Sequence, residues 1–261
     1  MSCLYGSVSI WMKRLFIIML NAMLTLGTGQ GDNDFSRSIP DIDDTYEQEV
    51  VEEVAPTYLL EFSDLDLNTI PAYLGEPYYV INDNVPSFTE ADKLNPVFEY
   101  YSEMDQLGRC GPATANISRE LMPTEPRGAI GHIRPSGWQT VKYPELISDL
   151  YLYNRCHLIA YALSGENANA RNLITGTRYM NMSGMLPIEN RIVRYIEETN
   201  DQVLYRVTPC FKDDELVARG VHIEALSLGD DGQGLSINVF VYNVQPGIVI
   251  DYSNGESYAE E

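Results

Sequence analysis

Residues 154–189 read NRCHLIAYALSGENANARNLITGTRYMNMSGMLPIE, a polar segment that runs into a helical pattern. Pro187 fits the first turn of a helix, because its ring fixes φ and its missing N–H would have no partner there. Isoleucines then recur at helical spacing on one face, at Ile188, Ile192 and Ile196. The pattern predicts a helix over residues 187–199, placed directly after side chains that can carry chemistry.

Three stretches after this helix are rich in β-branched and aromatic residues, which favour strands. They are residues 203–211, 216–226 and 235–244, and polar or glycine-containing turns separate them. Residues 77–81 have the same composition earlier in the chain. These patterns predict an α+β fold with an antiparallel β-sheet core and flanking helices.

The first 29 residues have the pattern of an export signal. If Met12 is the start, a basic pair follows it, and residues 15–26 form a short apolar run before small residues. The run is short for a membrane span and Asn21 interrupts it. We predict a signal peptide over residues 1–29, with an uncleaved membrane anchor as the alternative.

The next segment has the composition of a disordered acidic linker. Residues 30–67 are rich in Asp, Glu and Ser and poor in large apolar residues. We therefore expect the folded domain to occupy residues 68–254 and residues 255–261 to form a tail.

The overall charge argues against a nucleic-acid partner. The formal net charge is −21 at pH 7, whereas nucleic-acid binders usually present a basic surface that neutralises phosphates. The charge is uneven, however: residues 31–100 hold 17 acidic and two basic residues, and the chain from residue 101 onward holds 21 acidic and 13 basic ones. A local basic cleft on an acidic protein is compatible with this distribution, and so are scattered surface arginines.

Four side chains between residues 154 and 189 suit metal-dependent phosphodiester hydrolysis. That reaction needs a base for water, a hard cation at the phosphate and cationic donors for the developing charge. His157 can be the base, and Arg155 can face a phosphate oxygen. Asn181 can offer an oxygen to Mg²⁺, and Glu189 can hold the waters of that ion.

These residues resemble the DNA/RNA non-specific endonuclease family of the ββα-metal superfamily, in particular its secreted streptococcal-type branch. The resemblance implies that His157 is the general base and Asn181 the metal ligand. It also implies that Asn172, nine residues before Asn181, is the auxiliary catalytic asparagine. Glu189 corresponds to the water-holding glutamate, and Arg155 to the arginine of the family signature.

The resemblance extends over residues 68–252 and has two departures. Asn154 stands where the signature has Asp, and Cys156 where it has Gly, which affects the geometry of the motif more than its chemistry. Arg109 matches a second phosphate-facing arginine of the family. Arg178 is a further candidate for substrate binding.

The resemblance implies an exported, metal-dependent endonuclease that cuts DNA without sequence preference, with RNA as a second candidate substrate. One Mg²⁺ is the expected cofactor, with Mn²⁺ as the alternative. The protein itself is expected outside the cell, or anchored on the outer face of the cell membrane through an uncleaved signal. No stable protein partner is inferred.

Other interpretations stay open at this point. The domain could be a catalytically weakened nuclease fold that binds nucleic acid, or a toxin domain. The cysteines Cys110, Cys156 and Cys210 could form a disulfide in an oxidising compartment. Together with histidines they could also bind zinc, although no paired metal-ligand spacing is present.

Overall fold

A computed structural model of the chain describes residues 65–260. Its strands, in chain order, are β1 (Tyr78–Val80), β2 (Phe98–Tyr101), β3 (Ala113–Ile117), β4 (Tyr153–His157), β5 (Leu173–Thr177), β6 (Val203–Cys210), β7 (Gly220–Ser227), β8 (Ser236–Tyr242), β9 (Ile248–Ile250) and β10 (Ser257–Ala259). Its α-helices are α1 (Glu90–Lys93), α2 (Tyr161–Ser164) and α3 (Leu186–Thr199). Short 3₁₀ turns span Leu67–Thr69, Asn82–Asn84 and Ala170–Asn172, and a π-helical turn spans Met180–Met185.

A six-stranded sheet forms the centre of the domain, with the strand order β1-β8-β7-β6-β3-β2. Every neighbouring pair in it is antiparallel. The predicted α+β fold with an antiparallel sheet core is therefore confirmed.

One face of this sheet packs against helix α3. Because side chains alternate between the two faces of a strand, residues such as Tyr205, Val207 and Ile223 point to the same side and enter one apolar cluster. The predicted isoleucine stripe of α3 fills that cluster, at Ile188, Ile192 and Ile196. Burial of each isoleucine stabilises the packing by about 1.5–3 kcal/mol, which fixes the position of the first turn of α3.

The opposite face of the sheet carries a buried ion pair beside an apolar cluster that contains Phe240 and Tyr242. Arg206 of β6 and Glu224 of β7 lie opposite each other in register and are joined at 2.6–2.8 Å. Ser87 donates from both its N–H and its hydroxyl to the Glu224 carboxylate, at 2.7 Å each. Buried charges need such complete hydrogen bonding, so the segment before α1 is an integral part of the sheet.

The hairpin of β4 and β5 forms a separate two-stranded sheet. The π-helical turn and α3 follow β5 directly, so the chain runs strand, strand, helix. The end of β4, the start of the π-helical turn and the first turn of α3 are thereby brought to one place. This is the ββα arrangement expected from the sequence.

The predicted elements can be compared with the observed ones. The helix predicted over residues 187–199 and the strands predicted at 77–81, 203–211 and 235–244 are present with ends shifted by one or two residues. The strand predicted over residues 216–226 corresponds to β7, which begins at Gly220. It starts later than predicted because residues 213–219 form a turn that leads into the strand.

Both predicted domain limits differ from the described structure. Leu65 and Leu67, assigned to the acidic linker, pack against the cluster that contains Phe240 and Tyr242. The C-terminal tail is also partly ordered, since β10 pairs with β9. The predicted signal peptide and residues 30–64 lie outside the described residues. Within residues 65–260, no helix has the length and apolar character needed to cross a membrane.

Candidate active site

A pocket of about 840 Å³ opens where β4, the π-helical turn and the first turn of α3 meet. Among the polar residues that line it are Arg127, Asn154, Arg155, His157, Arg178, Asn181 and Glu189. Three arginines against one carboxylate make this pocket locally basic, although the whole chain is acidic. The charge distribution in the sequence was compatible with a local basic cleft, and the fold forms one.

His157 ends strand β4 and lines the pocket as a buried side chain. Its Nε2 lies 2.8 Å from the backbone oxygen of Asn167. Because a carbonyl only accepts, Nε2 carries the proton and Nδ1 keeps its lone pair. Burial lowers the pKa of His157 to about 4, with the charge of Arg127 acting in the same direction and the bond to Asn167 opposing it. The ring is therefore neutral at pH 7, and Nδ1 can accept a proton.

Arg127 is a pocket residue that the sequence interpretation did not assign. Its Nη2 lies 3.2 Å from Nδ1 of His157, so the guanidinium donates to the lone pair of the candidate base. The loop before it is anchored by the hydroxyl of Tyr161, which donates to the backbone oxygen of Glu125 at 2.5 Å. Arg127 stands outside every motif, and the only sequence signal for it is the excess of arginine in residues 106–142.

Glu189 lies in the first turn of α3 and lines the same pocket. Burial raises its pKa to about 7, and the positive charge of Arg127 opposes this rise. Among the hydrogen bonds and ion pairs of the described residues, none is made by the Glu189 carboxylate. A desolvated carboxylate without a donor is costly to ionise, so this position favours a cation or cation-bound water beside it.

Asn181 completes an oxygen-rich corner of the pocket. It lies in the π-helical turn, and its Nδ2 donates weakly to Sδ of Met182 at 3.7 Å. Its Oδ1 is therefore the atom left to act as a ligand, in the same pocket as the Glu189 carboxylate. Amide and carboxylate oxygens are the ligands that Mg²⁺ and Mn²⁺ prefer. The residues present thus fit a hard divalent cation.

Two further predicted residues, Arg155 and Arg178, also reach the pocket. Arg155 donates to the backbone oxygens of Gly131, at 2.9 Å, and Ile133. Its Cζ lies 4.0 Å from the ring centroid of Trp138. Arg178 follows β5 and forms an ion pair with Asp149. Contacts within the protein hold both arginines in place at the pocket wall, which suits side chains that bind an anion.

Arg109, predicted to bind substrate, does not line the pocket, so the structure does not bring it together with the other candidate residues. It forms an ion pair with Asp105 at 2.6 Å and donates to the backbone oxygens of Asp213 and Glu215. Its Cζ also lies 4.8 Å from the ring centroid of Phe211. The side chain therefore ties the turn after β2 to the loop after β6.

Asn172 does not line the pocket either. The residue is fully buried, its Oδ1 accepts from the N–H of Ile159 at 2.8 Å, and its Nδ2 donates to the oxygen of Ile159 at 2.9 Å. Both halves of the amide are thus used to hold the backbone two residues after His157. The structure therefore places Asn172 as a support of the backbone next to His157.

Replacing Asn172 by alanine should therefore lower stability as well as activity. Each buried backbone group of Ile159 that is left unpaired costs about 1–3 kcal/mol, so urea unfolding should show a clearly lower free energy of unfolding. Asn190→Ala, at an exposed position of α3, is the control and should unfold like the wild type. Unchanged stability with lost turnover would instead place Asn172 in the chemistry.

The three described cysteines form neither the disulfide nor the zinc site that the sequence was compatible with. Cys110, Cys156 and Cys210 are buried thiols that form no disulfide with one another. In the part of the chain covered by residues 65–260, no three His, Cys, Asp or Glu side chains are grouped as metal ligands. Neither a disulfide among these three cysteines nor a cysteine–histidine zinc site is present there.

Solved nuclease structures share this fold. NucA from Streptococcus agalactiae with magnesium bound matches with a TM-score of 0.63 and 26% identity, over 72% of this chain and 89% of that one. The Sda1 nuclease with bound zinc matches with a TM-score of 0.53 and 28% identity, over 62% of this chain and 82% of that one. The fold and the pocket therefore define a ββα-metal nuclease.

Sequence comparison identifies the family. A family model described as DNA/RNA non-specific endonuclease matches residues 91–229, more than half of the chain. A curated deoxyribonuclease from Streptococcus dysgalactiae subsp. equisimilis is 34% identical over 110 residues, which are 40% of this chain and 32% of that protein. The chain thus spans about a third of the length of that relative. It belongs to the DNA/RNA non-specific endonuclease family, in the streptococcal-type branch that its sequence resembles.

Proposed function

We propose that this protein is an exported, divalent-metal-dependent endonuclease that hydrolyses DNA without sequence preference, with His157 as its general base. The observation that carries this proposal is the meeting of a neutral histidine, an oxygen-rich corner and three arginines in one pocket. The lack of sequence preference follows from the lining, because arginines that meet phosphates bind every sequence alike. RNA carries the same phosphodiester, so it is a second candidate substrate.

The protonation state of His157 defines its part in the reaction. Its Nε2–H stays bonded to the carbonyl of Asn167, which holds the ring with Nδ1 toward the pocket. Nδ1 takes a proton from the attacking water as the water oxygen bonds to phosphorus. The bond from phosphorus to the 3′ oxygen breaks and that oxygen takes up a proton from a second water in the pocket, leaving a 5′-phosphate and a 3′-hydroxyl.

Arg127 must change partner for this step to occur. In the described structure its guanidinium occupies the lone pair of Nδ1, at 3.2 Å. A phosphate in the pocket offers charged oxygens, which are stronger acceptors for arginine than a neutral ring nitrogen. Arg127 therefore releases Nδ1 to water and stabilises the charge that develops on the phosphate.

Asn181 and Glu189 would hold the divalent cation. When bound, the cation supplies Lewis-acid stabilisation of charge on the phosphate oxygens. Asn181 contributes its amide oxygen directly, and Glu189 accepts hydrogen bonds from water beside it. Mg²⁺ is the proposed ion and Mn²⁺ the alternative, since the oxygen donors suit both.

Chelation tests the proposal most directly. Incubation with plasmid DNA and Mg²⁺ should convert supercoiled to nicked and then to fragmented DNA with 5′-phosphate ends, and excess EDTA should stop it. Asn181→Ala should need a higher Mg²⁺ concentration for half-maximal rate, because it removes a ligand. Activity that survives complete chelation would contradict the proposal. DNA binding without cleavage at any metal concentration would favour a catalytically weakened nuclease fold.

Export is proposed on the pattern of residues 1–29. Expressed from its own start, most of the protein should be recovered outside the cytoplasm, and N-terminal sequencing should find a new start near Gln30. A full-length species that sediments with membranes would support the uncleaved anchor. A soluble cytoplasmic pool would contradict both forms of export.

A further inference from the structure

The pocket extends beyond the reacting groups along the line of strand β4. Arg155 and His157 lie two residues apart and share one face of the strand. Tyr153 and Tyr151 continue the same spacing toward the start of the hairpin, and all four line the pocket. Strand β4 runs from Tyr153 to His157 and covers about 13 Å at about 3.3 Å per residue, and Tyr151 lies before its start, so the cleft is long enough to hold more than one nucleotide next to the base.

Cations and aromatic rings alternate along this part of the cleft. The Cζ of Arg155 lies 4.0 Å from the ring centroid of Trp138. Farther from His157, the Nζ of Lys142 lies 4.7 Å from the ring centroid of Tyr151. Proteins that bind single-stranded nucleic acid combine positive charge for the backbone with rings on which bases stack. Trp138, Tyr151 and Arg155 line the pocket, and Lys142 lies against Tyr151 without lining it. We call these four residues the aromatic wall.

The two rings of the aromatic wall differ in what else they do. Trp138 packs against a small apolar cluster with Ile147, Leu152 and Ile248, so part of its presence is explained by folding. Tyr151 does not belong to that cluster, and 43% of it is exposed to solvent. Packing therefore does not account for an exposed aromatic ring at this point of the cleft.

We propose that the aromatic wall is a subsite that stacks an unpaired nucleobase of the substrate, a few nucleotides from the phosphate that is cut. Bases in a duplex are stacked on one another and present only their edges in the grooves, so only an unpaired base can use the ring of Tyr151. The subsite therefore favours single-stranded stretches of nucleic acid over intact duplex. The inference rests on the proposed function, because it places substrate in the same pocket.

Variants of Tyr151 test the subsite in the full-length protein. Tyr151→Ala should lower kcat/KM on single-stranded DNA by about five- to hundredfold, the loss that corresponds to stacking of one base. Duplex DNA should be cut within about twofold of the wild-type rate, since no base stacks there. Tyr151→Phe keeps the ring and should retain the activity on single strands. Tyr258→Ala replaces an exposed tyrosine that does not line the pocket. It is the matched control and should leave the rates on both substrates unchanged.

A binding measurement separates this inference from the proposed nuclease activity. Fluorescence anisotropy with a strand of about ten thymidines, and with the same strand made of abasic sugars, reads base stacking without any cleavage. The wild type should bind the thymidine strand more tightly, and Tyr151→Ala should bind both strands equally. An unchanged ratio in Tyr151→Ala, or an equal loss on duplex and single strand, would overturn the subsite. Absence of cleavage by the wild type would contradict the nuclease proposal while the anisotropy ratio still decides the subsite.

Discussion

His157→Ala is expected to lose nearly all nuclease turnover, by about 10²–10⁴-fold, while the folded protein still binds Mg²⁺ and DNA. The substitution removes Nδ1, the atom proposed to accept the proton. The oxygens of Asn181 and Glu189, proposed to hold the cation, remain. Plasmid cleavage under saturating Mg²⁺ gives the rate, and circular dichroism confirms the fold. Added imidazole should restore part of the activity of His157→Gly, because a small base can enter the space left by the ring.

The other described histidines provide the controls for this result. His132 is exposed and outside the pocket, so His132→Ala should cut at the wild-type rate. His222 is buried in β7 with its Nε2 2.7 Å from Oδ1 of Asn238, so His222→Ala should lose stability while keeping its rate when folded. Equal activity of all three variants, or loss confined to His132→Ala, would show that His157 is not the base.

Arg127→Met is expected to lower kcat by about 10²–10³-fold, the usual effect of removing one donor from a charge-stabilising site. Methionine fills part of the volume without the charge, so the pocket should keep its shape. Steady-state kinetics on plasmid or oligonucleotide DNA measure the effect. The matched control is Arg109→Met, since Arg109 does not reach the pocket. A rate close to wild type in Arg127→Met would remove this residue from the reaction.

The same variant should change the dependence of the rate on pH. Burial is the main cause of the low pKa of His157, and the charge of Arg127 adds to it, so removing that charge should raise the pKa above about 4. The reactive neutral form of His157 is then lost at a higher pH, and the acid limb attributable to His157 should move upward. It should move in Arg127→Met and stay in place in Arg109→Met.

Local patterns explain most of what the sequence predicted. The helix over residues 187–199 has an isoleucine stripe whose period is visible within four turns, and β6 and β8 have their own strand composition. The motif around His157, Asn181 and Glu189 is also local, because two strands and one helix turn bring it together. The ββα motif and the candidate residues came from the family resemblance of this short segment, and the structure brings His157, Asn181 and Glu189 into one pocket.

Long-range contacts account for the residues that sequence interpretation missed. Arg109 is held by backbone oxygens 104 and 106 residues farther along the chain, and nothing near it in sequence indicates them. Arg127 reaches His157 across 30 residues from a loop with no regular spacing. The pairing of Asn172 with Ile159 depends on the register of β4 against β5, which composition does not fix. In each case the fold, and not the motif, decides the partner.

The span that the family model matches is shorter than the span that folds. Residues 91–229 exclude β8 and β1, two of the six strands of the sheet. A fragment cut to those limits would leave β7 as a bare edge, and bare edges pair readily with other chains and aggregate. It would also lose both donors of Ser87 to the buried Glu224. The segment that the family model matches is therefore not a transferable unit, because its fold depends on strands and contacts on both sides of it.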